Sequence, residues 1–201
     1  MRISSLYFLI LCLYMAVCRL GAEDARILEI RRIYNDIAER VKQEREDNVV
    51  GGSTHEITYK NIIPGTGYQH RSVSFFHDDE QDFEGLPGDI KQILRKVTVQ
   101  YNISAVQFHA EYLYSKDGEL LFHYFKEEGL QGGEKRFYLY RGELIKITIN
   151  PLAETEDERY RKYEATENFS ASILEEVEAI RQRASCYGKL FHLLIEYQQI
   201  D

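Results

Sequence analysis

Two histidines and a glutamate lie close together in the middle of the chain: His109, Glu111 and, beyond a short loop, His123. The loop, Lys116-Asp117-Gly118, has the form of a three-residue hairpin turn with glycine at the left-handed position. Pairing Ser115 with Glu119 around it sets a register. That register puts Glu111 directly opposite His123, with His109 one diagonal step away on the same face. Two imidazoles and a carboxylate converging on one face form the ligand set of a catalytic zinc site, and the chemistry would be metal-dependent hydrolysis. A cross-strand Glu–His hydrogen bond on a solvated sheet face satisfies the same spacing. In that hydrogen-bonded pair the carboxylate favours the imidazolium, so the pKa of His123 is expected to rise. The coupling would then contribute stability below the unfolded pKa and lose it as pH rises through the folded one.

Other groupings carry less chemistry. Asp78, Asp79, Glu80, Asp82, Glu84 and Asp89 form an acidic run that could offer oxygens to calcium, but Phe83 stands where an EF-hand loop needs its turn glycine. A solvated acidic connection is the plainer reading. Pro64-Gly65-Thr66-Gly67 lacks the Gly-Lys-Ser/Thr ending of a phosphate-binding loop and reads as a turn, with Gly65 at positive φ. The chain contains no Gly-x-Ser-x-Gly nucleophile elbow. Cys186 falls within a helical pattern, where it is expected to pack as a small apolar side chain.

The elements that must position these residues are legible from hydrophobic period. Ile27, Ile30, Tyr34, Ile37 and Val41 recur at three- and four-residue steps and predict an amphipathic helix over 23–47. From 55 to 149 the period shortens to two. Val97, Val99, Tyr101 and Ile103 alternate with Lys96, Thr98, Gln100 and Asn102, a strand dry on one side and wet on the other. Tyr-Leu-Tyr followed by Gly-Glu-Leu occurs at 112–120 and again at 138–144, which reads as two successive hairpins. Capping-box tetrads at Thr155–Glu158 and Ser172–Glu175 predict helical structure over 155–198. There Ile173, Val177, Ile180, Ala184, Tyr187, Phe191 and Leu194 form a four-three stripe. It could be a seam joining two copies of the chain or a face packed on its own sheet; the second is the reading adopted. The fold class expected is α+β: an antiparallel β-meander covered on one face by the N- and C-terminal helices.

Composition narrows the function classes. The chain has 201 residues, a net charge of −8, fifteen Tyr, ten Phe and no Trp. No Lys/Arg stripe gathers against the acidic background, so a nucleic-acid partner is not expected. Arg2 followed by the uncharged run Leu6–Cys18 and then Gly21-Ala22 reads as a signal peptide over 1–22, too short to be a transmembrane span. A single mature domain, 23–201, would follow. Met15-Ala16-Val17-Cys18 also admits a lipoprotein signal with Cys18 as the lipidated residue. After cleavage Cys186 would be the one remaining cysteine of the three, leaving no intramolecular disulfide.

An amphipathic helix after a signal segment, then Asn-Ile-Ile-Pro-Gly-Thr-Gly-Tyr-Gln at 61–69 and Glu-Tyr-Leu-Tyr-Ser-Lys-Asp-Gly-Glu-Leu-Leu-Phe at 111–122, resembles a group of uncharacterised exported bacterial proteins. The resemblance covers residues 25–150 and implies export and α+β architecture; its motifs are turns and strands and transfer no catalytic residue. The function expected is that of a non-enzymatic binding or interaction domain, secreted, periplasmic or envelope-anchored as a lipoprotein. Its partner would be a protein or a cell-envelope ligand, and no cofactor is expected. The alternative is a zinc-dependent hydrolase using His109, Glu111 and His123.

Overall fold

The computed structural model describes residues 24–47, 53–65, 67–81, 90–129, 132–153 and 157–198. The expected signal segment, Cys18 and half of the acidic run (Asp82, Glu84 and Asp89) lie outside them. Among the described residues the chain forms helix α1 (Ala25–Asp47), then strands β1 (Thr54–Ile63), β2 (Gly67–Gln81), β3 (Ile90–Ile103), β4 (Val106–Tyr114), β5 (Leu120–Glu128), β6 (Gly133–Tyr140), β7 (Glu143–Pro151) and β8 (Tyr163–Ala165), and finally helix α2 (Ala171–Gln198). The eight strands make one antiparallel sheet in sequence order, the α+β meander expected from alternation and tight turns. Those turns have the predicted chemistry. Gly65 and Gly118 hold φ of 85° and 82°, and Arg141-Gly142 at 51° and 77° closes the β6–β7 hairpin.

The helices lie on opposite faces of the sheet, which corrects the expectation that both cover one. The α2 stripe, with Val177, Ile180, Ala184 and Phe191 buried, packs on Phe75, Val97, Val99, Tyr112, Tyr114, Phe137, Leu139 and Ile147. On the other face Ile27, Ile30 and Ile37 of α1 pack on Phe76, Leu113, Phe122, Tyr138 and Ile145. Adjacent residues such as Tyr112 and Leu113, or Tyr138 and Leu139, supply the two cores in turn, because successive side chains on a strand point to opposite faces. Strands β2, β4, β5, β6 and β7 are therefore apolar on both sides at the end near α1, and a one-sided cover would leave one apolar set wet.

The coiled-coil stripe is thus consumed within the chain, and Tyr114 fastens it by donating its hydroxyl to the Ala184 carbonyl at 2.9 Å. Ser170, two residues ahead of the expected Ser172, caps α2: its hydroxyl accepts from the Ile173 amide at 3.4 Å. The segment expected to open a further helix at 155 is instead a single 3-10 turn, Glu158–Tyr160, capped by Asp157 and followed by the short edge strand β8. Cys186 lies on the outer side of α2, exposed rather than packed. No described helix is long and apolar enough to cross a membrane.

Candidate functional site

Helix α1 covers only one end of its face. Beyond Tyr34 the sheet lies open, and there the outward positions of β2 to β6 change from apolar to polar. His70 and Ser72 come from β2, Gln100 and Asn102 from β3, Gln107 and His109 from β4, Tyr124 and Lys126 from β5, and Arg136 from β6. With Ile30, Arg31 and Tyr34 of α1 as one wall they enclose a groove of about 860 Å³, within the range of small-molecule sites.

The deep end of the groove holds a buried charge cluster. Glu111 is 7% exposed and Lys96 7%. Lys96 Nζ and His109 Nε2 each lie 3.0 Å from Glu111 Oε1, while the Tyr34 hydroxyl donates to Oε2 at 2.6 Å. Register brings the strand members together: Thr98 pairs with Glu111 and Lys96 with Leu113, so Lys96 is the diagonal neighbour of Glu111 on one face. Burial acts to raise the Glu111 pKa, but His109, Lys96 and Tyr34 together outweigh it and hold the carboxyl near about 2. Burial, reinforced by the Glu111 charge, pushes the Tyr34 phenol well above its ordinary range. The carboxylate is therefore fixed as an anion and the phenol as a neutral donor. Neither is poised to exchange a proton near neutral pH.

His109 and Glu111 are together in this cluster, as the sequence suggested, but His123 is not. The turn forms as expected, the Ser115 amide donating to the Glu119 carbonyl at 2.8 Å. A bulge then intervenes: Tyr114 pairs with Leu120 but Leu113 pairs with Phe122, leaving Leu121 as the extra residue. Glu111 consequently faces Tyr124, and His123 falls opposite Tyr112 on the α2 side. There its ring packs 4.5 Å from that of Tyr112 and 5.8 Å from that of Phe137. Burial lowers the His123 pKa to about 3, the reverse of the expected rise. The His109, Glu111, His123 ligand set does not form, and no group of three or more His, Cys, Asp or Glu among the described residues is arranged to hold a metal ion.

Sequence reasoning missed Tyr34, Lys96, Tyr124 and Arg136. Tyr34 was hidden in the apolar stripe of α1, where it packs edge-on against Phe122 with centroids 5.4 Å apart while its hydroxyl reaches Glu111. Lys96 sat among residues of a wet face. A signal was present, since a wet face crossed by an amphipathic helix must bury some of its polar members. One other expectation changes. Asp78, at the head of the acidic run, is an internal anchor bonded to Arg40 at 2.8 Å and Arg95 at 2.6 Å. Asn102, on the wet face of β3, donates its amide to the Tyr68 and Ser104 carbonyls at 3.1 Å.

Comparison with protein family models, with curated proteins and with solved structures gives no match to the chain.

Proposed function

We propose that this chain is an exported binding protein and that its ligand, a small polar solute of the cell envelope, seats in the groove beside α1. The observation that carries this reading is the groove itself: about 860 Å³, open on one side and lined by rings and carboxamides. It lies beside a carboxylate whose bonds to Lys96, His109 and Tyr34 are already made. Such a floor is rigid and pre-organised, which suits recognition. Glu111 held ionised and Tyr34 held neutral support binding over acid–base catalysis. Export is supported by the uncharged Leu6–Cys18 segment ahead of Gly21-Ala22 and by the resemblance of 61–69 and 111–122 to exported bacterial proteins.

Ligand-observed NMR with a mixture of neutral and acidic sugars, amino acids and short peptides tests the groove. Gln107→Trp serves as the blocked variant, because Gln107 is exposed at the groove lining and its enlargement leaves both cores untouched. Binders of the wild type that are lost on Gln107→Trp are the expected result. A wild type that holds none of the mixture, or binding that survives the block, would overturn the reading. Intact-mass measurement on fractionated cells tests export, and a retained Met1 in the cytoplasm would end that part of it.

A further inference from the structure

The two edges of the sheet are finished differently. β8, at one end, is three residues long. β1, at the other, runs for ten residues without proline or glycine and without a shift of register against β2. Proteins guard an edge with a short strand, proline, a bulge or repeated charge, because a long flat edge templates another strand. The charges of β1 are one acid and one base, Glu56 and Lys60. Among the described residues no strand pairs with its outer side. The closest approaches of helix to sheet, α1 on β6 and α2 on β3 and β5, lie inward of this edge.

The backbone groups that face outward follow from the pairing with β2. The His77 amide donates to the Ser53 carbonyl at 2.9 Å, so Ser53 turns toward β2. On β2 the Tyr68 carbonyl and the His70 amide both bond the Asn102 side chain of β3. They therefore point away from their β1 partners, Ile62 and Lys60. Backbone direction alternates along a strand, so Thr54, Glu56, Thr58, Lys60 and Ile62 present N–H and C=O to the open side. All five are exposed, Ile62 to 69%.

This row is complementary to itself. Pairing β1 antiparallel with a second β1 about Thr58 sets Glu56 opposite Lys60, Thr54 opposite Ile62 and Thr58 opposite Thr58. On the α2 face Ile57 then lies opposite Tyr59, which is 40% exposed. Each outward N–H from Thr54 to Ile62 meets an outward C=O. Centring on Glu56 or on Lys60 would set like charges together, and centring on Ile57 or Tyr59 would part Glu56 from Lys60. The Ser72 hydroxyl, donating to Glu56 Oε1 at 2.7 Å, already holds the carboxylate against the sheet.

We propose that β1 is a self-association edge, to which a second copy of this chain adds its own β1 antiparallel about a two-fold axis at Thr58. The axis stands perpendicular to the sheet, so each copy keeps its faces and the two grooves open on the same side. Ser72, the β2 partner of Thr58, lines the groove, so each groove begins one strand from the axis. One strand pair is a small contact, and the dimer dissociates on the order of 100 μM. At the low concentrations of denaturant unfolding the chain is a monomer.

The test is sedimentation equilibrium of the full chain from about 10 μM to about 1 mM, a span that brackets this affinity. Thr58→Pro removes an outward N–H and no bond to β2, a change that edge strands tolerate. It should weaken the dimer by about tenfold or more, the scale of its lost central hydrogen bonds. Glu56→Lys and Lys60→Glu should each weaken self-association by roughly threefold or more, because each sets like charges across the axis. An equal mixture of these two variants should associate more tightly than either alone, since every cross-strand pair is then of opposite charge. Should Thr58→Pro fail to fold, the charge variants decide by themselves. Amide hydrogen exchange supplies the second measurement: Glu56, Thr58 and Lys60 should exchange fast in dilute protein and gain protection as it is concentrated. A chain that stays monomeric throughout, association untouched by a folded Thr58→Pro, or a mixture no tighter than its components would overturn the proposal. Protection of Thr58 in dilute protein would overturn it as well, by showing that another part of the chain already covers the edge.

Discussion

Glu111 and His123 are joined through the sheet: the carboxylate of Glu111 faces the groove and α1, while its backbone carbonyl lies 3.0 Å from Nδ1 of His123 on the α2 side. A carbonyl only accepts, so Nδ1 carries the proton and the ring is the neutral tautomer with Nε2 bare. One residue thus serves two environments, an ionic cluster above the sheet and an aromatic core below it. The bulge at Leu121 creates the arrangement, since without that extra residue the turn would have set the two side chains on one face.

His123 is therefore expected to stay neutral well below its ordinary range. Its folded pKa, near about 3 against an ordinary 6.5, is depressed by burial. In that window the unfolded chain binds a proton that the folded chain does not. Stability from this group is full above the unfolded value and falls as pH drops toward the folded one, by ~1.4 kcal/mol per pH unit. Ring-proton NMR between pH 5 and 8 should show no titration for His123. A midpoint near 6.5 would place the ring in solvent.

Glu111 carries a second acid-sensitive contribution over a lower window. Its carboxyl moves from 4.5 to about 2 on folding, so its stabilisation is present above about 4.5 and is lost as pH falls through the folded value. Glu111→Gln should cost about 3 kcal/mol at pH 7, because Lys96 is left buried beside a neutral amide. Urea unfolding of wild type and variant should show the gap narrowing between pH 4.5 and 2.5. A gap that stays constant would mean the cluster is not ionised as described.

The order and hairpin geometry of the meander were readable because local signals agreed: alternation in 97–103, glycine at 65, 118 and 142, and aliphatic periodicity in both helices. What escaped was long-range. No local signal places α1 and α2 on opposite faces, since Tyr112 and Leu113 are both apolar and only packing decides which helix each meets. Nor does Leu121 announce itself as a bulge, being an apolar residue beside apolar Leu120 and Phe122. That single insertion separated His123 from His109 and Glu111, so the candidate site was half legible. Lys96, Tyr34 and Arg136 join it only through register and helix placement, which depend on the whole sheet.

Tyr114 tests the attachment of α2. Its ring is buried in the core and its hydroxyl bonds the Ala184 carbonyl. Tyr114→Phe keeps the ring and removes the bond, and should cost about 1 kcal/mol. Phe191→Ala, at a fully buried position facing Phe75, should cost about 3–5 kcal/mol. Denaturant midpoints independent of protein concentration are expected for both, because the stripe packs on its own sheet. Dependence on concentration would restore the seam between two copies.

Gly133 marks the closest approach between the sheet and the 3-10 turn. A Cβ there would lie 2.2 Å from Cδ1 and 2.4 Å from Cγ of Tyr160. That ring cannot swing aside freely, being 2% exposed and held by its hydroxyl on Glu127 at 2.7 Å. The overlap must be relieved by moving the turn or the strand, so Gly133→Ala should destabilise by about 1–3 kcal/mol as an overpacked site does. Tyr160→Ala costs stability by itself through the lost ring, but it also removes the obstacle. The double variant should therefore be less destabilised than the sum of the two single changes. Urea unfolding of the four proteins measures this coupling, and strict additivity would show that Gly133 and Tyr160 do not meet.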